Sequence, residues 1–188
     1  MALLAHAQAK SYSEEDYYEL GENVRAELID GQFYDMAAPS RIHQEILSRL
    51  HAIIYNYIDA KKGSCRVYPA PFAVKLFDDA KNIVEPDISV ICDPSKLTDR
   101  GCSGAPDWII EIASPTNPRH DYITKLNLYS NAGVREYWIV DPKYKKIYVY
   151  NMEADNFSIK VFSFTDTISA GIYEDLSIDF STFLMDTF

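Results

Sequence analysis

Six consecutive residues, Trp108-Ile109-Ile110-Glu111-Ile112-Ala113, set the first constraint on the fold. The run is rich in β-branched and aromatic residues and reads as a strand. Its only charge, Glu111, lies inside the apolar stretch. A carboxylate there is costly unless it is paired or binds a cation; the alternative is a half-exposed strand with Glu111 turned to solvent. Upstream lies Val84-Glu85-Pro86-Asp87-Ile88-Ser89-Val90-Ile91, in which a Pro-Asp pair opens a second apolar strand. If the two strands are neighbours, Asp87 and Glu111 converge on one ion. Two carboxylates supplemented by backbone oxygens and water suit Mg²⁺ or Mn²⁺, hard cations that keep several waters.

The rest of the chain supplies the material to cover such a sheet. Ser13-Glu14-Glu15-Asp16 predicts a short helix that stops by Gly21. Ala26–Ile29 and Phe33–Met36 flank Asp30-Gly31, a hairpin signal. From Pro39-Ser40 a longer helix runs over about 41–60, with Ile42, Ile46, Leu50, Ile53, Ile54 and Tyr57 forming an apolar stripe. Short strands are expected at Cys65–Tyr68, Phe72–Leu76 and Ile88–Cys92, and a loop at Asp93–Pro106. A second helix over Asp121–Ala132 ends before Gly133. Glu136–Val140, Lys146–Asn151 and Phe157–Phe164 read as a meander. The order of elements predicts an α/β (α+β) fold, a central mixed sheet flanked by helices with an extra N-terminal hairpin, in one domain over 1–188.

Composition narrows the class. The 188 residues are 47% hydrophobic and 24% charged, values of a folded domain that exclude a disordered chain. No stretch approaches a membrane span, so no membrane partner is expected. Three cysteines without a CxxC pair argue against a disulfide framework or structural zinc, and predict reduced thiols in a cytoplasmic protein. A net charge of −10 argues against a general nucleic-acid coat protein, though not against an enzyme with basic residues concentrated at one site. Phosphate-cradling glycine motifs, a nucleophile elbow and zinc-ligand histidine spacings are all missing.

Six segments in order carry a resemblance: Glu27-Leu28-Ile29-Asp30-Gly31; Val84-Glu85-Pro86-Asp87; Gly104-Ala105-Pro106-Asp107; Glu111-Ile112-Ala113-Ser114-Pro115; Asp121 with Lys125 and Tyr129; and Gly133-Val134-Arg135-Glu136-Tyr137-Trp138-Ile139-Val140-Asp141-Pro142. Together they resemble the PD-(D/E)XK nuclease superfamily, and within it a bacterial family of restriction-endonuclease-like proteins. The resemblance implies a Mg²⁺-dependent phosphodiesterase acting on DNA, with Asp87 and Glu111 as metal ligands. The superfamily's lysine falls at position 113, which is Ala113 here. The resemblance then implies Lys125, on the following helix, as the catalytic ammonium; the plainer reading is an Asp121–Lys125 helix pair.

Secondary roles fall to Glu27, reaching the metal through water, to His43 on a phosphate, and to Tyr129 packed beside Lys125. A DNA footprint is expected at Arg41, Arg119, His120 and Lys125. A homodimer is expected by analogy with the superfamily, because cutting two strands takes two sites. Two other readings stand beside the nuclease. One is a catalytically silent module that binds nucleic acid or protein; the other is an interaction module whose acidic metal site only stabilises the fold.

Overall fold

A computed structural model describes residues 10–21, 24–114, 120–153 and 157–184. The helices are α1 (Glu14–Tyr18), α2 (Arg41–Lys61) and α3 (Leu126–Ala132). The strands are β1 (Ala26–Ile29), β2 (Gln32–Asp35), β3 (Arg66–Pro69), β4 (Val74–Lys75), β5 (Ile83–Val84), β6 (Ile88–Ile91) and β7 (Leu97–Thr98). They continue with β8 (Gly101–Ser103), β9 (Trp108–Ile112), β10 (Glu136–Asp141), β11 (Lys146–Asn151), β12 (Ser158–Ser163), β13 (Thr167–Ser169) and β14 (Ser177–Asp179).

The central sheet has the order β12-β11-β10-β9-β6-β3 and is mixed, because only β9 and β10 run parallel. All residues of β6, β9 and β10 are buried, the signature of strands covered on both faces. Period-two alternation sends Ile88, Val90, Trp108, Ile110, Trp138 and Val140 to one face, where α2 lays down Ile46, Leu50 and Ile54. The opposite face carries Ile91, Ile109, Tyr137 and Ile139. It is covered by α3 and by a second six-stranded sheet, β2-β1-β5-β4-β8-β7. The N-terminal hairpin, expected as an appendage, is thus one edge of a whole extra layer. Its turn takes positive φ at Asp30 (50°) and Gly31 (72°), the geometry that suits a two-residue hairpin.

Local chemistry explains the long helix. Ser40 caps it, its hydroxyl accepting from the His43 N–H at 3.2 Å. It ends at Lys62, which turns left-handed at φ 51°. Ile42, assigned to the apolar stripe by spacing, is exposed, and the buried stripe begins at Ile46.

The stretch 93–106 is not a plain loop. A 3-10 turn at Pro94–Lys96 leads into β7 and β8, and β8 pairs in parallel with β4. Gly101 makes this approach possible: its φ is +132°, and a Cβ there would collide with the Ala73 carbonyl oxygen. The expected strand Phe72–Leu76 shrinks to the two residues of β4. The second predicted helix opens as a π-helical segment, His120–Lys125, before α3 begins.

The cysteine reading is corrected as well. Cys65 and Cys92 form a disulfide, and the buried Cys102 stays free. Antiparallel β3 and β6 pair Arg66 with Ile91, so one further step sets Cys65 against Cys92. Spacing in sequence does not reveal this pairing, and with it the cysteines no longer point to a reducing compartment.

Candidate functional site

The site is built from the pairing of β6 with β9. Ile88 pairs with Ile110, and one more step of the same antiparallel register sets Asp87 opposite Glu111. Directly opposed side chains share a face. This face is the one bearing Ile109 and Ala113, toward α3 and the second sheet. The Asp87 carboxylate accepts from the Ile112 N–H at 2.7 Å, which ties it to the residue after Glu111.

Lys125 closes the cluster. Its ammonium donates to Glu111 Oε1 at 2.8 Å and to Glu27 Oε1 at 2.9 Å. Glu27, Glu111 and Lys125 are 4%, 5% and 4% exposed. At that depth Lys125 is a buried partner of Glu27 and Glu111; the Asp121 side chain of the plainer Asp121–Lys125 reading lies outside the described residues. Buried charges of this kind are kept only when paired. Lys125 closes the π-helical segment, and such segments recur at functional sites. Tyr129, four residues on, donates its hydroxyl to the same Glu111 Oε1 at 2.7 Å. Burial, and then the Glu111 charge, hold the Tyr129 phenol well above its usual range, so it stays a donor.

His43 reaches the cluster from the first turn of α2, with Nε2 lying 3.0 Å from Asp87 Oδ2. Its Nδ1 is buried without a hydrogen-bond partner among the described residues. Glu27 is held in turn by the Glu85 N–H at 3.1 Å. The Glu85 carboxylate accepts from Arg25 at 2.6 Å and from the Tyr17 hydroxyl at 3.0 Å. Glu85, Arg25 and Tyr17 carried no role in the sequence reading. A signal for Glu85 existed, since it sits in the Glu-Pro-Asp triplet; none marked the other two.

Of the expected residues, the structure brings together Asp87, Glu111, Lys125, Glu27, His43 and Tyr129. Arg119 and the His120 side chain lie outside the described residues. Arg41 is exposed and paired with Glu45 at 2.7 Å.

The donor set can be tested against a metal. Among the described residues the Lys125 ammonium meets Glu27 and Glu111, while Asp87 lies against His43 Nε2 and the Ile112 N–H. Among the described residues no three His, Cys, Asp or Glu side chains form an ion cage. That pattern fails a closed zinc-type site. Asp87 and Glu111 are the side chains that could hold a Mg²⁺-type ion, since such an ion takes one or two carboxylates and fills the rest of its shell with water and substrate oxygens.

A layered mixed sheet presenting this acid–lysine cluster defines a restriction-endonuclease-like protein. The chain belongs to the Uma2 family, described as "Putative restriction endonuclease", which matches residues 14–181. The chain is similar to "Uncharacterized protein slr1290" of Synechocystis sp., at 28% identity over 159 residues, covering 81% of this chain and 82% of that one. It also resembles a protein of Anabaena variabilis ATCC 29413 whose crystal structure is described as "a putative nuclease belonging to DUF820". That likeness has a TM-score of 0.75 at 22% identity and covers 92% of this chain and 99% of the other, a likeness of fold. Among the described residues no helix is long and apolar enough to cross a membrane.

Proposed function

We propose that the chain is a Mg²⁺- or Mn²⁺-dependent endonuclease that hydrolyses phosphodiester bonds of DNA. The observation carrying this reading is the convergence of Asp87, Glu111 and Lys125 on one face of adjacent strands. Asp87 and Glu111 would hold the cation, which when bound acidifies water and offsets charge on the scissile phosphate.

The chain's own groups do the rest. Lys125 orients the attacking water or stabilises charge growing on the phosphate oxygens. Glu27 accepts from the same ammonium, so Lys125 would keep a partner if Glu111 were held by a cation. Tyr129 holds Glu111, while His43 and the Ile112 N–H hold Asp87. Ala113 lies on the face that α3 covers, which supports Lys125 as the source of the missing strand ammonium. Cutting both strands takes two such sites, so the reading carries a homodimer with it.

The test is cleavage of supercoiled plasmid with Mg²⁺ by the wild type, Asp87→Asn and Glu111→Gln, beside calorimetric titration of each with Mn²⁺. Each substitution should lower cleavage on the order of a hundredfold and weaken Mn²⁺ binding. Equal Mn²⁺ affinity in all three proteins, or a wild type without Mg²⁺-dependent cleavage, would sink the reading. The net charge of −10 and the internal pairing of Lys125 would then favour a catalytically silent binding module of the same fold.

A further inference from the structure

Several cations of this acidic chain are held in ion pairs. Arg25, Arg41, Lys61, Lys75, Lys125 and Arg135 each pair with a carboxylate. The β10–β11 turn gathers three that are not. Lys143, Lys145 and Lys146 are all exposed, and none is ion-paired among the described residues. Between them Tyr144 is 64% exposed. Three positive charges within four residues stand out against a net charge of −10.

The turn is built to hold its shape. The buried Asp141 accepts from the Tyr144 N–H at 3.0 Å, and Lys145 takes a left-handed φ of 52°. The Lys143 ammonium lies 5.2 Å from the centre of the Tyr144 ring. An ordered cationic turn gives up less conformational entropy on binding than a loose one.

Topology decides where it points. β10 runs parallel to β9, with Ile139 beside Glu111, and ends two residues later at Asp141. The turn therefore leaves the sheet at the end where Glu111, Asp87 and the first turn of α2 meet. At about 3.3 Å per residue it stands roughly 10–15 Å from Glu111. Along one strand of a duplex that is on the order of three or four nucleotides, at about 3.4 Å each.

We infer that Lys143, Lys145 and Lys146 form a phosphate-gripping turn that holds the nucleic-acid backbone a few nucleotides from the bond at the site. Lysine is a point charge without a fixed fork, so this grip carries affinity without sequence preference. The inference rests on the nuclease reading for its choice of partner, but binding can be measured without cleavage.

The experiment measures binding of a short fluorescein-labelled duplex of arbitrary sequence, in EDTA, across a salt titration. It compares the wild type, the combined variant Lys143→Ala/Lys145→Ala/Lys146→Ala, and a control of equal charge change, Lys10→Ala/Lys62→Ala/Lys81→Ala. The turn variant should bind at least about tenfold more weakly near 0.1 M salt, with the log–log salt slope shallower by about 2–3, and the control should bind like the wild type. Equal losses in both variants, an unchanged slope in the turn variant, or no binding by the wild type would overturn the inference. Turn-dependent binding without Mg²⁺-dependent cleavage would uphold it while the nuclease reading fell. Cleavage abolished by Asp87→Asn together with turn-independent binding would do the reverse.

Discussion

Lys125 is the residue on which most of the site's electrostatics turns, because one ammonium faces both Glu27 and Glu111 in a buried setting. Removing one partner of a buried ion pair leaves uncompensated charge. Lys125→Ala should therefore destabilise the metal-free protein by about 3–5 kcal/mol, read as a lowered denaturant midpoint. The same loss should make Mn²⁺ raise the melting temperature more in the variant than in the wild type, since the cation would offset two facing carboxylates. Adding Ala113→Lys to Lys125→Ala returns an ammonium from the strand side and should recover part of the Mg²⁺-dependent cleavage; no recovery would count against the exchange of lysine positions.

Glu136 is a buried carboxylate of another kind. It accepts from Trp138 Nε1 at 2.6 Å and from the N–H groups of Gly171 at 2.9 Å and Ile172 at 2.8 Å. Burial raises its pKa above the ordinary carboxylate value, with these hydrogen bonds opposing the rise. A raised carboxyl pKa contributes stability that is fully present below the unfolded-state value and is lost as pH rises through the folded-state value. The urea midpoint of the wild type, measured relative to that of Glu136→Gln, should therefore fall as pH rises through that interval. A difference independent of pH would contradict the shift.

Among the elements, α2 was the most legible. A 21-residue helix with a serine cap and a one-sided stripe announces itself, because its signal repeats over many turns. Leu50, fully buried under the central sheet, should cost about 2–5 kcal/mol as Leu50→Ala in chemical denaturation. The meander of β10, β11 and β12 was legible for the same reason, with six residues in each strand. The strands β5, β7 and β8 were not, since two or three residues cannot display a period, and β4 showed only as part of the longer run Phe72–Leu76. Their partners are chosen by tertiary approach, which Gly101 permits. Gly101→Ala should therefore lower stability by roughly 2–4 kcal/mol, although Gly101 sits in a stretch that reads as loop.

For the molecule as a whole, the Cys65–Cys92 bond ties β3 to the end of β6, the strand that Asp87 precedes. It spans 27 residues of chain, and closing a loop of that size in the unfolded state is worth about 3.5 kcal/mol in the chain-entropy account. Cys65→Ser should lose about that much under oxidising conditions and differ little from the wild type in excess reductant. Equal stability in both conditions for the wild type would show the staple to be inert. Charge also has to be read at this scale. The net value of −10 describes no particular surface, and it is the topology that gathers Lys143, Lys145 and Lys146 at the end of the sheet bearing the acids.

Legible along the chain were the elements whose signals are local and repeated: the long capped helix, the hairpin at Asp30-Gly31, the apolar strand around Glu111, and the ordered acid and lysine motifs. Residue chemistry was enough there to pose the question, because a carboxylate within an apolar strand demands a partner once both faces of the strand are buried. Which partner it takes depends on contacts between distant segments. The opposition of Asp87 and Glu111, the sharing of Lys125 with Glu27, the contact of His43 with Asp87, the Cys65–Cys92 bond and the second sheet all depend on register and crossover between distant segments. Those choices come from burying both faces of one sheet together, a collective packing outcome that no short window of sequence encodes.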